Sequence, residues 1–316
     1  MRGPLYPFVY GYKFTTANIP SMAGKVIVVT GGNAGIGLET TRELFNKGAK
    51  IYIACRSQQK AEEAIKNIKE TALSETTGEV LYLPLDLMSF ASVRQFATQF
   101  SAAEERLDVL INNAGIMAVD YKLTKDGCDQ QLQTNHLSPF LLTHLLMPKL
   151  SHSGDPRIVN VSSIAHARYF KNSPDNFESF EHVNGELGGP WPRYGQSKIS
   201  NILFANELAK RHPSIMSNSC HPGIIDTGLY SHLGVMSTFM NVFATVGAFL
   251  RPADGALTQL YLATSTDIRN HKITGKYYVP LAKASTPSDA VNDINAERLW
   301  GISEKVFAER NITLTL

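Results

Sequence analysis

Short, nearly unbroken apolar runs rich in β-branched residues recur along the chain. They are Val26-Ile27-Val28-Val29, Ile51-Tyr52-Ile53, Val80-Leu81-Tyr82-Leu83, Val109-Leu110-Ile111, Ile158-Val159-Asn160-Val161, Ile215 to Cys220, and Lys276-Tyr277-Tyr278-Val279. Runs that stay apolar instead of alternating predict strands covered on both faces. Longer segments with charges at helical spacing lie between them: Gln58 to Thr71, Ser89 to Glu104, Gln131 to Leu150 and Gly195 to Arg211. Alternating strands and helices predict an α/β fold, a single doubly wound parallel sheet of about seven strands with helices on both faces. No linker-like stretch or internal repeat interrupts the pattern, so residues 1–316 read as one domain. Residues 1–22, rich in Pro, Gly and Tyr, read as an irregular arm, and about 165–193 and 224–250 as substrate-side excursions from the core.

Composition narrows the partners. The 316 residues are 43% hydrophobic and 18% charged, with a net charge of +2. That is enough apolar material for a large core and too balanced a charge to indicate nucleic acid. The three cysteines, Cys55, Cys128 and Cys220, form no metal-binding or disulfide pattern. No metal is expected, and reduced thiols point to a cytoplasmic setting. The sequons at Asn160 and Asn311 then read as chance matches. The N-terminal residues show no secretory signal. Leu233 to Leu250 is uncharged and of marginal membrane-spanning length. Its place inside a continuous α/β pattern favours a helical lid over an apolar pocket, with peripheral membrane contact as the intermediate reading.

The first strand runs into Thr30-Gly31-Gly32-Asn33-Ala34-Gly35-Ile36-Gly37. A glycine-rich turn between strand and helix lets the backbone approach a pyrophosphate, which meets the helix N-terminus. The second strand ends in Ala54-Cys55-Arg56, with Lys60 four residues on. An acid at this place would bond a ribose hydroxyl and repel a 2′-phosphate, whereas Arg56 and Lys60 favour NADP(H). The weaker alternative is that both are ordinary surface cations. Asp86 after the third strand is suited to an adenine amino group. After the fourth, Asn112-Asn113-Ala114-Gly115 lets a ribose pack close to the backbone.

Tyr194 and Lys198 are four residues apart and share a helix face. A phenol is a weak acid, with an ordinary pKa of about 10. A neighbouring ammonium favours its anion and fits it for proton transfer. Ser162-Ser163 ends the fifth strand, where a hydroxyl can hold a substrate oxygen or simply cap a turn. Asn135, in an otherwise apolar helix, fits a water link to Lys198 or a satisfied amide at a kink.

Together these residues resemble the short-chain dehydrogenase/reductase family across roughly residues 23 to 280. The resemblance is carried by Thr30-Gly31-x-x-x-Gly35-x-Gly37, Asn112-Asn113-Ala114-Gly115, Asn135, Ser163, Tyr194-x-x-x-Lys198 and Pro222-Gly223. It implies a Rossmann-type fold, a nicotinamide cofactor and a catalytic tetrad of Asn135, Ser163, Tyr194 and Lys198. It also implies cofactor contacts at Ile36, Asn113, Pro222, Gly223 and Thr227, and the expected set takes in Asn33, Leu87 and Ile225. Within the family the chain looks most like the retinol-dehydrogenase-like and WW-domain-oxidoreductase-like branch, through Ala54-Cys55-Arg56, Asn113 to Met117, Asn160 to Ser163 and His221-Pro222-Gly223. That branch's N-terminal membrane anchor is not seen here, so membrane residence is not carried over. The stretch from Ser163 to Tyr194 is longer than the family's usual gap. It holds Phe170, Phe177, Phe180 and Trp191 and reads as a substrate-side flap. The expected activity is reduction of an apolar aldehyde or ketone with NADPH. The alternatives are alcohol oxidation and a non-catalytic NADP(H)-binding redox sensor. A homo-oligomer would pair through the helices near Gln131 to Leu150 and Gly195 to Arg211, whose apolar faces could equally bury against the sheet.

Overall fold

The computed structural model describes residues 14–73, 76–170, 173, 176–225 and 250–314. Eight strands form one sheet: β1 (Val26–Thr30), β2 (Lys50–Cys55), β3 (Glu79–Pro84), β4 (Val109–Asn112), β5 (Arg157–Val161), β6 (Met216–Cys220), β7 (Tyr277–Val279) and β8 (Lys283–Ser285). Their spatial order is β3-β2-β1-β4-β5-β6-β7-β8. All neighbours are parallel except β7 and β8. The chain leaves β1 toward β3 and returns to β4 on its other side. A crevice therefore opens beyond the carboxyl ends of β1 and β4, where such sheets bind ligands.

Among the described residues, seven longer helices cover the sheet: α1 (Gly35–Asn46), α2 (Gln58–Glu70), α3 (Phe90–Ala103), α4 (Ser138–Ser151), α5 (Pro190–Arg211), α6 (Pro252–Thr264) and α7 (Asp293–Ala308). The pleat sorts the strand side chains between them. Ile27, Val29, Ile51, Ile53, Val109 and Ile111 pack in one core with α1, α2 and α6. Val28, Ala54, Leu110 and Ile158 pack in the other, with α3, α4, α5 and α7. Phe14, Ile19 and Met22, from the end of the N-terminal arm, join the first core.

The structure departs from the sequence reading in several places. The helix expected over Gln131 to Leu150 is broken. A turn at Gln130–Leu132 leads into a π-helical turn at Gln133–Leu137, and only then into α4. α5 starts at Pro190, five residues earlier than expected, because proline in the first turn needs no N–H partner. Finally, β8 was not anticipated.

The faces of α4 and α5 considered for pairing pack on α7 as well as on the sheet. The Trp300 ring lies 4.9 Å from Phe140, 5.2 Å from His144 and 5.9 Å from Phe204. The long insert also needs correcting. Phe177 is buried in the core formed with α3, α4, α5 and α7, and Phe170 and Phe180 pack against that core. Of its aromatic residues, Tyr169 and Trp191 join the cluster around Tyr194. Three phenylalanines thus satisfy their hydrophobicity away from the cleft.

Candidate active site

A cleft of about 510 Å³ runs along the carboxyl ends of the strands. Its floor at one end is the turn between β1 and α1. Thr30, fully buried, ties this turn to β4, because its Oγ1 accepts from the N–H of Asn113 at 3.0 Å and of Ala114 at 2.9 Å. Asn113 Nδ2 returns a bond to the Thr30 carbonyl at 2.8 Å. Gly31 turns the chain at φ 65°, a left-handed conformation that glycine adopts without strain. A side chain at Gly37 would put its Cβ 2.3 Å from the Gly31 carbonyl oxygen and 2.6 Å from Asn113 Nδ2. α1 begins here with no side-chain cap and no acid in its first turn. Its amides and dipole suit a phosphate.

At the end of β2, Arg56 and Lys60 line the cleft, both exposed. Neither makes an ion pair among the described residues, and no acid stands beside them at Cys55 or Ser57. Ser57 caps α2 by accepting from the Lys60 N–H at 3.3 Å. Asp86 Oδ1 accepts from the Met88 N–H at 2.9 Å, and Leu87 beside it is buried. Arg56, Lys60 and Lys198 against Asp86 give the lining a cationic balance suited to an anionic dinucleotide.

The far end holds Ser163, Tyr194 and Lys198. The two adjacent serines differ. Ser162 Oγ is buried and donates to the Lys198 carbonyl at 2.6 Å, fastening β5 to α5. Ser163 is partly exposed in the cleft, and its Oγ accepts from the Ala165 N–H at 3.2 Å. Lys198 is 4% exposed, and its Nζ donates to the Val161 carbonyl at 3.0 Å. Burial pulls its ammonium down to about 8. Nζ stands 5.8 Å from the centre of the Tyr194 ring. His221, also lining the cleft, is pushed down to about 4 by burial with His166 close by, so it is neutral near pH 7.

Asn135 lies behind this wall, in the π-helical turn. Its Oδ1 accepts from the Ile116 N–H at 2.9 Å, and its Nδ2 donates to the Ile116 carbonyl at 2.9 Å and to Ser197 Oγ at 2.8 Å. It thereby joins the loop after β4 to α5.

The cleft brings together seventeen of the expected residues: Gly31, Asn33, Gly35, Ile36, Arg56, Lys60, Asp86, Leu87, Asn113, Ala114, Gly115, Ser163, Tyr194, Lys198, Pro222, Gly223 and Ile225. Thr30, Gly37 and Asn135 support it from behind, outside the lining. Thr227 and most of Leu233 to Leu250, the expected lid, lie outside the described residues. The lining also includes Ser57, Ile116, Met117, Thr134 and His221, which the sequence reading did not assign to the site. Ser57 was findable as a helix cap before Gln58; Met117 and Thr134 come into the lining only through tertiary packing.

Comparison with known proteins agrees. The sequence profile of the short chain dehydrogenase family matches residues 25–174. An uncharacterized oxidoreductase of Schizosaccharomyces pombe is 40% identical over 94% of this chain and 89% of its own. Bovine retinol dehydrogenase 12 is 38% identical over 91% of this chain and 87% of its own. Among solved structures, the Pseudomonas aeruginosa RhlG/NADP active-site complex superposes with a TM-score of 0.64 at 25% identity, over 82% of this chain and 95% of that one. Fold and relatives together define an NAD(P)-dependent oxidoreductase acting on CH–OH or C=O groups of a small molecule. The chain belongs to the short-chain dehydrogenase/reductase family, in its retinol-dehydrogenase-like branch.

Proposed function

We infer that this protein is an NADP(H)-dependent carbonyl reductase acting on an apolar aldehyde or ketone. The observation that carries the cofactor preference is the end of β2. Arg56 and Lys60 line the cleft there without an acid beside them, a setting that attracts a 2′-phosphate. The glycine turn and the uncapped start of α1 fit the pyrophosphate. When bound, the nicotinamide supplies or accepts the hydride.

The rest of the chemistry belongs to the chain. Tyr194 donates its phenolic proton to the carbonyl oxygen as that oxygen gains charge. Ser163 Oγ holds the same oxygen in place. Lys198, cationic near neutrality, stabilises the phenolate left behind. Asn135 keeps the loop after β4 and α5 together beneath the reacting groups. An apolar substrate accords with Ile116, Met117 and Ile225 in the lining and with relatives named as retinol dehydrogenases.

The test is consumption of NADPH in the presence of a panel of apolar aldehydes and ketones. Tyr194→Phe is expected to lower kcat by about 10²–10⁴-fold, the range for losing a proton donor, while NADPH still binds. A folded, NADPH-binding wild type inert on every carbonyl and alcohol tried, or a fully active Tyr194→Phe, would contradict the assignment.

A further inference from the structure

Beside Tyr194 lies a buried ion pair that the reaction scheme does not use. Arg193 and Asp129 have side chains only 3% and 2% exposed, with Nη1 and Oδ1 2.9 Å apart. Isolating two charges from water is costly, and such a pair is weak evidence of stabilisation for its own sake. Its geometry points to another use. The other guanidinium nitrogen, Nη2, donates to the Val119 carbonyl at 2.9 Å. Asp129 Oδ2 accepts from the N–H groups of Gln131 and Leu132 at 3.1 and 3.0 Å, capping the turn that leads to Asn135. Gln131 Nε2 donates to the Pro190 carbonyl at 3.1 Å, at the start of the helix that carries Tyr194.

These bonds frame one short segment. Asn135 grips the loop after β4 at Ile116, and Arg193 grips it at Val119. Between the grips, Met117 and Ala118 pack against Tyr194, with Ala118 held at φ 49°. A left-handed alanine is strained and persists only where its surroundings fix it.

We propose that Arg193, paired with Asp129, is a positioning residue that fixes the 116–119 wall and the Asn135 turn against Tyr194. This rests on the reading of Tyr194 as the proton donor. Arg193 touches none of the reacting groups and acts through the placement of its neighbours. Displacing such a wall by about an ångström can cost on the order of 10²-fold in rate.

The experiment compares wild type, Tyr194→Phe, Arg193→Lys and the double variant Arg193→Met/Asp129→Asn. It measures kcat per NADPH-binding site, the NADPH Kd and the melting temperature. Asparagine keeps the cap and removes the uncompensated charge, so the double variant tests geometry without a stranded ion. Arg193→Lys keeps the ion pair and loses the two-pronged grip. In both, kcat is expected to fall by about 10-fold or more, with the NADPH Kd within about twofold of wild type. Wild-type kcat in either folded variant would overturn the inference. If the double variant does not fold, Arg193→Lys decides it alone. An active Tyr194→Phe would instead strike at the parent reading, so the two failures are distinguishable.

Discussion

At the scale of single residues, the site depends on a cation held out of water. Lys198 is buried, bonded through Nζ to the Val161 carbonyl, and its ammonium is drawn down to about 8. The unfolded chain keeps this proton up to the ordinary value of 10.5, whereas the native protein releases it near 8. Between those values the unfolded state binds more protons, so stability rises with pH through this window. Below it both states are charged and the full desolvation cost remains. Lys198→Met removes that cost, and the Val161 carbonyl keeps its bond from Asn201 Nδ2. The variant is therefore expected to stabilise the ligand-free protein by about 1–3 kcal/mol below pH 8, with the gain fading toward pH 10.5. Denaturant midpoints on either side of the window read this directly. A gain independent of pH would show that Lys198 is not penalised as its burial implies.

At the scale of elements, the turn between β1 and α1 is built to a tolerance that leaves no room for a methyl group. Gly37→Ala would drive a Cβ into the Gly31 carbonyl and the Asn113 amide, both of which hold the turn's shape. Overpacking of this kind costs about 1–3 kcal/mol. If it falls on the binding conformation, NADPH affinity should drop by roughly 5- to 100-fold, as a fluorescence titration would measure. Unchanged affinity would mean that α1 can shift without disturbing the cofactor cradle. The turn itself was legible in the sequence because its glycines stand between an apolar strand and a helix. β1 to β5 were legible for the same kind of reason, since Val, Ile and Leu runs need cover on both faces, whereas β6 carries Ser217, Asn218 and Ser219 and gave a weaker signal. β8 was not, because Lys283, Ala284 and Ser285 are exposed and carry no apolar pattern. The π-helical turn at Gln133–Leu137 left little trace, since Gln-Thr-Asn-His-Leu holds no glycine or proline to mark a break before α4. α7 left a readable trace in the helical spacing of Leu299, Ser303 and Val306 with Trp300 and Phe307. Asp129 and Arg193 are far apart in sequence, and only the tertiary fold reveals their pairing.

At the scale of the whole molecule, a nearly neutral chain concentrates its useful charge in one crevice. The reversal of strand order between β1 and β4 opens that crevice, and the two apolar cores support its walls. α7 closes over α4 and α5, with Arg211 stacked 4.6 Å from the Trp300 ring and His136 Nε2 bonded to Ser303 Oγ at 2.9 Å. The helices behind the site are therefore braced from both sides. Among the described residues no helix is long and apolar enough to cross a membrane. The proposed selection of a 2′-phosphorylated nicotinamide dinucleotide by this crevice is tested by titration with NADPH and NADH, wild type against Arg56→Ala. Wild type is expected to bind NADPH at least about tenfold more tightly than NADH, and Arg56→Ala to remove most of the difference by weakening NADPH alone, since a charge-assisted phosphate contact contributes about 1.5–3 kcal/mol. Equal affinity for the two cofactors, or a preference for NADH in the wild type, would contradict it.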